Sequence, residues 1–217
     1  MGRVLQSYQD ELARGEISPD AAQRAVAERL DELAQALEAK AAISGIFTAF
    51  LKRARPPEPV RGLYIHGSVG RGKTMLMDLF FEEVALRAKL RAHFHEFMAD
   101  VHERIADARK TVPGDPIPHV AAQIGKDARL LCFDELHVTD IADAMILGRL
   151  FQGLFAAGTT IVATSNAHPS QLYKNGLNRQ LFVPFIQHLE MQMDVVELDA
   201  VKDYRLEKLT GTPLYFT

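Results

Sequence analysis

Residues 62–74, Gly62-Leu63-Tyr64-Ile65-His66-Gly67-Ser68-Val69-Gly70-Arg71-Gly72-Lys73-Thr74, decide the fold. A short apolar run ends in a glycine-rich turn, and Met75 to Phe81 continues at once as a helix-favouring segment. The string obeys G-x-x-x-x-G-K-[ST], and it stands between a strand and a helix, the context that a phosphate-binding loop requires. Glycines let the backbone wrap with its amides pointing inward, and the helix N-terminus adds positive potential. Lys73 then reaches the outer phosphates of a nucleotide and Thr74 ligates magnesium. Gly67, Ser68, Val69, Gly70, Arg71, Gly72, Lys73 and Thr74 are therefore the expected nucleotide-binding residues. A chance match in an ordinary loop is the competing reading, and the flanking strand and helix weigh against it.

A phosphate cradle needs an acid for its metal. Leu130-Leu131-Cys132-Phe133-Asp134-Glu135 supplies one at the end of a second apolar strand. Asp134 is expected to hold Mg2+ through water, and Glu135 to polarise the attacking water as general base. The adjacent glutamate separates nucleotide-hydrolysing enzymes from switches that keep the aspartate alone. Capping of the next helix is the plainer role for such an Asp-Glu pair.

Thr160-Ile161-Val162-Ala163-Thr164 reads as a further strand ending in Ser165-Asn166. If it lies between the two strands already named, Asn166 falls in the crevice where open parallel sheets bind ligands and can orient the lytic water. Arg179, in Asn175-Gly176-Leu177-Asn178-Arg179, follows that strand. An arginine there can reach into a neighbouring subunit's nucleotide site, or it can be a solvated surface residue.

Working outward, residues from Arg61 to His66, Leu90 to Phe97, Arg129 to Phe133, Thr159 to Thr164 and Asp194 to Leu198 read as five strands. Amphipathic helices alternate with them, the layout of an α/β parallel sheet covered on both faces. One helix carries Ile141, Ala144, Met145, Gly148, Phe151 and Phe155 on one face, and residues 111–118, TVPGDPIP, read as an exposed loop. Ahead of the core, residues 1–54 form a helical appendage. Its Ala22, Val26, Leu30, Leu33 and Leu37 recur at helical spacing after a Ser18-Pro19-Asp20 start signal, and a second helical piece runs from Ile43 to Leu51. Packing on the main core is the ordinary fate of that stripe, and recruiting a partner is the other. Residues 55–61 read as a linker, which leaves residues 62–217 for the nucleotide-binding core.

Composition closes off other classes. The chain has 217 residues, 47% of them hydrophobic and 24% charged, and a formal charge of -3. An isoelectric point near 6.2 carries no global mark of a nucleic-acid binder. A single cysteine, Cys132, permits no internal disulfide and suits a reducing, cytoplasmic setting, where it reads as a small core residue. No signal peptide, transit peptide or integral membrane segment is expected from the apolar runs. His93 and His95 would share a strand face near His102, yet no third ligand joins them, so no metal other than magnesium is expected.

The segments GLYIHGSVGRGKTMLMDLFF, HFHEFMADVHERI, LLCFDELHVTDIADAMILGRLF, IVATSNAHPSQLYKNGLNRQLFVPFI and VKDYRL, taken together, resemble the ZapE family of AAA+ ATPases. That resemblance implies a P-loop fold of AAA+ type with a five-stranded parallel sheet, and an ATP-hydrolysing, Mg2+-dependent motor that assembles as a homo-oligomer, a hexameric ring. It further implies action in bacterial cell division at the FtsZ ring, with Asn166 as sensor and Arg179 as arginine finger. A related mitochondrial branch exists, and the missing transit peptide favours the bacterial one. The family's helical lid is expected to be absent here, because the chain stops shortly after its fifth strand and Arg205 does not replace a lid arginine. Two other functions remain open: a helicase-loader-type ATPase, disfavoured by the acidic balance, and a nucleotide-gated scaffold.

Overall fold

The structure is a computed structural model that describes residues 2–48 and 60–198. Two helices come first, α1 (Arg3–Arg14) and α2 (Ala21–Thr48), followed by β1 (Gly62–His66) and α3 (Lys73–Glu83). The chain continues through β2 (Lys89–His93), α4 (Phe94–Ala108), α5 (Ile117–Asp127), β3 (Leu130–Asp134) and α6 (Ile141–Ala156). It then forms β4 (Thr160–Ser165), α7 (Val183–Gln192) and β5 (Met193–Glu197).

The five strands make one sheet in the order β2-β3-β4-β1-β5, with every pair parallel. Alternation along each strand sends side chains to two separate cores. On one face Leu63, Ile65, Leu130, Cys132 and Val162 pack with Val4, Tyr8, Val26, Leu30, Leu76 and Phe80 from α1, α2 and α3. On the other, Tyr64, Leu131, Phe133, Ile161 and Ala163 pack against α4, α5, α6 and α7. β1 and β3 are buried along their whole length, which is why they read as continuous apolar runs.

The helical stripe Val26, Leu30, Leu33 and Leu37 is the buried side of α2. Its start differs from the sequence reading: Asp20, not Ser18, caps it, its Oδ1 accepting the N–H groups of Ala22 at 2.8 Å and Gln23 at 3.1 Å. α2 also runs without interruption to Thr48 where two pieces were expected, since Gly45 costs a helix only about 1 kcal/mol. The second strand is shorter than predicted. Phe94 already opens α4, whose Phe94, Phe97, Met98, Val101 and Ile105 are buried at helical rather than alternating spacing. β2 is an edge strand, half exposed and carrying Lys89 and Arg91.

Smaller shifts affect other boundaries. α5 begins at Ile117 with Pro118 in its first turn, so the loop from Thr111 ends before Pro118. On α6 the buried stripe is Ala144, Leu147, Leu150, Phe151, Leu154 and Phe155, with Ile141 exposed. Residues 55–59 of the expected linker, Phe50 and Leu51, and the expectations concerning Arg205 and a lid lie outside the described residues. Among the described residues no helix is long and apolar enough to cross a membrane.

Candidate active site

β1 and its neighbour β4 send their following helices, α3 and α7, to opposite faces of the sheet, which opens a crevice at the C-terminal strand ends. The loop Gly67–Gly72 fills the start of that crevice. Register places His66 beside Ser165, and the N–H of Gly67 donates to the Ser165 carbonyl at 3.3 Å. The loop is thereby tied to the end of β4, which the exposed Asn166 follows directly. Gly70 and Gly72 have φ of 79° and 86°, a backbone that side chains with a Cβ rarely adopt. Lys73 Nζ donates to the carbonyls of Gly67 at 2.7 Å and Ser68 at 2.8 Å, so its charge lies within the curve of the loop. Thr74 stands exposed in the first turn of α3.

Asp134 ends β3 and is buried. Its partner was not found from the sequence. Arg91 on β2 donates through Nε to Oδ2 at 2.7 Å and through Nη2 to Oδ1 at 3.3 Å, and its Nη1 meets Asp78 of α3. One guanidinium thus links Asp134 to the helix that begins with Lys73 and Thr74. Burial works against the Arg91 charge, and the bonds from Asp134 and Asp78 outweigh it, raising its pKa further above the ordinary arginine value. No local pattern announces this group; only the register of Arg91 beside Cys132 brings it into reach.

Glu135 is exposed and has φ of 57°, a left-handed backbone at a residue with a Cβ. The neighbouring strand holds it there. Its N–H donates to Thr164 Oγ1 at 3.1 Å, Leu136 N–H donates to the Thr164 carbonyl at 2.7 Å, and Ser165 Oγ donates to the Leu136 carbonyl at 2.8 Å. The left-handed residue ends β3 at this point and turns the chain at the C-terminal end of the sheet.

The fold therefore brings Gly67–Thr74, Asp134, Glu135 and Asn166 to one end of the sheet. Arg179 stands apart, opening a 3₁₀ turn after β4, with its Nη2 donating to the Ser170 carbonyl at 2.6 Å. Arg71 differs from its loop neighbours, because its guanidinium turns away from the cradle toward Asp20. The hydroxyl of Thr74 and the carboxylate of Asp134 are hard oxygen donors of the kind magnesium takes, at the end of the sheet that carries the glycine-rich loop and Lys73, so these residues fit a magnesium nucleotide. Among the described residues no cluster of three or more His, Cys, Asp or Glu side chains could hold another metal. His93 ends β2 and His95 lies in α4, while His102 bonds Asp143 at 2.7 Å.

The family model for AFG1-like ATPases matches residues 3–217. Lactation elevated protein 1 homolog B of Danio rerio is 50% identical over 162 residues, covering 70% of this chain and 32% of that protein. Cell division protein ZapE of Escherichia coli (strain K12) is 48% identical over 159 residues, covering 73% of this chain and 42% of that protein. The chain thus spans well under half the length of these relatives. AMPPCP-bound DnaA from Aquifex aeolicus shares the fold, with a TM-score of 0.55 at 19% identity over 92% of this chain and 55% of that one.

Proposed function

The chain belongs to the AFG1-like ATPase family, and from that premise we propose that it is a Mg2+-dependent, ATP-hydrolysing AAA+ core whose turnover remodels a cell-division protein. The observation that carries this reading is the meeting of Lys73, Thr74, Asp134 and Glu135 at the C-terminal ends of β1 and β3. In it, the amides of Gly70 to Thr74 and the Lys73 ammonium bind the phosphates, and Thr74 and Asp134 hold the metal. Bound magnesium supplies positive charge where negative charge develops on the phosphates. Glu135 takes the proton of the attacking water, and Asn166 orients that water. Replacing Glu135 by Gln tests the assignment: ATP binding persists and turnover stops. Unchanged turnover overturns Glu135 as the base, and failure of the native chain to bind ATP overturns the whole reading.

The same proposal makes the working unit a ring in which Arg179 completes a neighbour's site. Turnover then rises with protein concentration, and Arg179→Ala lowers it about 10³-fold while leaving ATP affinity in place. Similarity to the cell division protein ZapE supports a division protein as the partner, and FtsZ polymers are the partner that the family resemblance implies. Co-sedimentation of FtsZ with the chain, with ATP and with the Glu135→Gln variant, tests that pairing; no ATP-dependent change in pelleting removes FtsZ as the substrate.

A further inference from the structure

We propose that the start of α2 is a positioning element of the nucleotide site, with Asp20 and Gln23 holding the phosphate loop in shape through Arg71. The inference rests on the nucleotide-binding reading above and concerns residues outside the loop itself. Arg71 Nη2 pairs with Asp20 Oδ2 at 2.9 Å, both side chains about three-quarters buried. Arg71 Nε donates to the Leu198 carbonyl at 3.3 Å, and the Arg71 carbonyl accepts from Gln23 Nε2 at 3.0 Å. Both the backbone and the side chain of this loop residue are therefore held from outside the cradle.

The anchor is doubly used. Asp20 spends one carboxylate oxygen on capping α2 and the other on Arg71, so the helix start and the loop share a single group. Gln23 also presses on the next residue: a Cβ at Gly72 would lie 2.8 Å from Gln23 Nε2. α1 joins the arrangement, with Tyr8 Oη donating to the Asp20 carbonyl at 3.4 Å. The loop's other ties run to the sheet, at Ser165 and, through Leu198 bonded to His66 at 2.6 Å, at the end of β5. Those sheet ties belong to the core strands, whereas the tie to α2 comes from the helical layer packed on one face of the sheet.

A loop that must present several amides to phosphate binds more tightly when its shape is already set, because ordering it at the moment of binding costs free energy. Coupling of this kind is reciprocal. Nucleotide in the loop strengthens the docking of α1 and α2, and loosening α2 weakens nucleotide binding. The N-terminal helices are then part of the nucleotide site's machinery rather than a passive cover on the sheet.

The test uses the intact 217-residue chain with a fluorescent ATP analogue in EDTA, plus hydrogen exchange of α1 and α2 with and without that analogue. Arg71→Ala keeps the α2 cap, and Gln23→Ala removes one partly exposed amide, so both variants should fold. Each is expected to weaken analogue binding about five- to twentyfold, and native protein is expected to show slower exchange in the first turns of α2 when the analogue is bound. Native affinity in both variants, or α2 exchange indifferent to the analogue, overturns the proposal. A merely structural role lowers the melting temperature of the variants and leaves analogue affinity alone, which also overturns it. Native protein that binds no analogue removes the nucleotide-binding reading first, and this inference with it.

Discussion

Arg91 holds both carboxylate oxygens of Asp134 from the adjacent strand, at 2.7 and 3.3 Å, while its remaining nitrogen meets Asp78. A buried aspartate at the end of an apolar strand would otherwise pay a large desolvation penalty. Replacing Arg91 by Met leaves that carboxylate without its partner. Stability should fall by about 3 kcal/mol, read as a lower urea midpoint, and the magnesium dependence of ATP binding should change. Lys in its place keeps charge without the forked geometry and should recover only part of the loss. A native urea midpoint in Arg91→Met would show that the pair contributes nothing.

The left-handed backbone at Glu135 predicts a trade between stability and turnover. Glu135→Gly relieves that strain and should raise the melting temperature by about 2 °C while abolishing hydrolysis. Thr164→Val removes the acceptor of the Glu135 N–H at 3.1 Å and should lower kcat more than it raises KM. Calorimetry and steady-state ATPase assays read both, and a melting temperature lowered in Glu135→Gly contradicts the strain.

Asp20 predicts a pH dependence of folding. The Gln23 N–H holds its carboxyl below the usual carboxylate range; burial opposes this, and the Ala22 N–H and the Arg71 guanidinium add to the lowering. A carboxyl with a depressed folded pKa contributes its stability in full above the unfolded value of about 3.9. That contribution is lost as pH falls through the lower folded value. Urea midpoints of native protein and Asp20→Asn should therefore differ at pH 7 and draw together as pH falls below about 3.9. Parallel curves across that range would remove Asp20 from the acid response.

Cys132 lies wholly buried on the face shared with α3, and burial pushes its thiol pKa far up. It is protonated and shielded at neutral pH. A thiol reagent such as DTNB should leave the folded chain unlabelled over minutes and react fully in urea, with the labelling rate reporting opening of the core. Fast labelling of native protein would contradict that packing.

Local chemistry explains which parts were legible. Gly67 to Thr74 could be read because turn, cradle and charge all lie within eight neighbouring residues, and Asp134-Glu135 because two acids close an otherwise apolar run. The apolar run into Phe97 misled: Phe94 and Phe97 are buried at helical spacing, and only the helix α4 distinguishes that pattern from alternation. Asp20 was visible as an acid at a helix start, and its second bond to Arg71 was not. His93 and His95 fail to share a strand face for the same reason that β2 is short, since the strand ends between them.

The strand–loop–helix unit of β1 and α3, the buried strands β1, β3 and β4 and the acids at the end of β3 were legible in the sequence, because each is written within one short stretch of chain. The pairings of Arg91 with Asp134, of Thr164 with the left-handed Glu135 and of Asp20 with Arg71 emerge from the folded chain alone. Those three pairings span 43, 29 and 51 residues. They depend on strand register and helix docking, which follow from burial across the whole sheet and leave no mark in any single stretch of sequence.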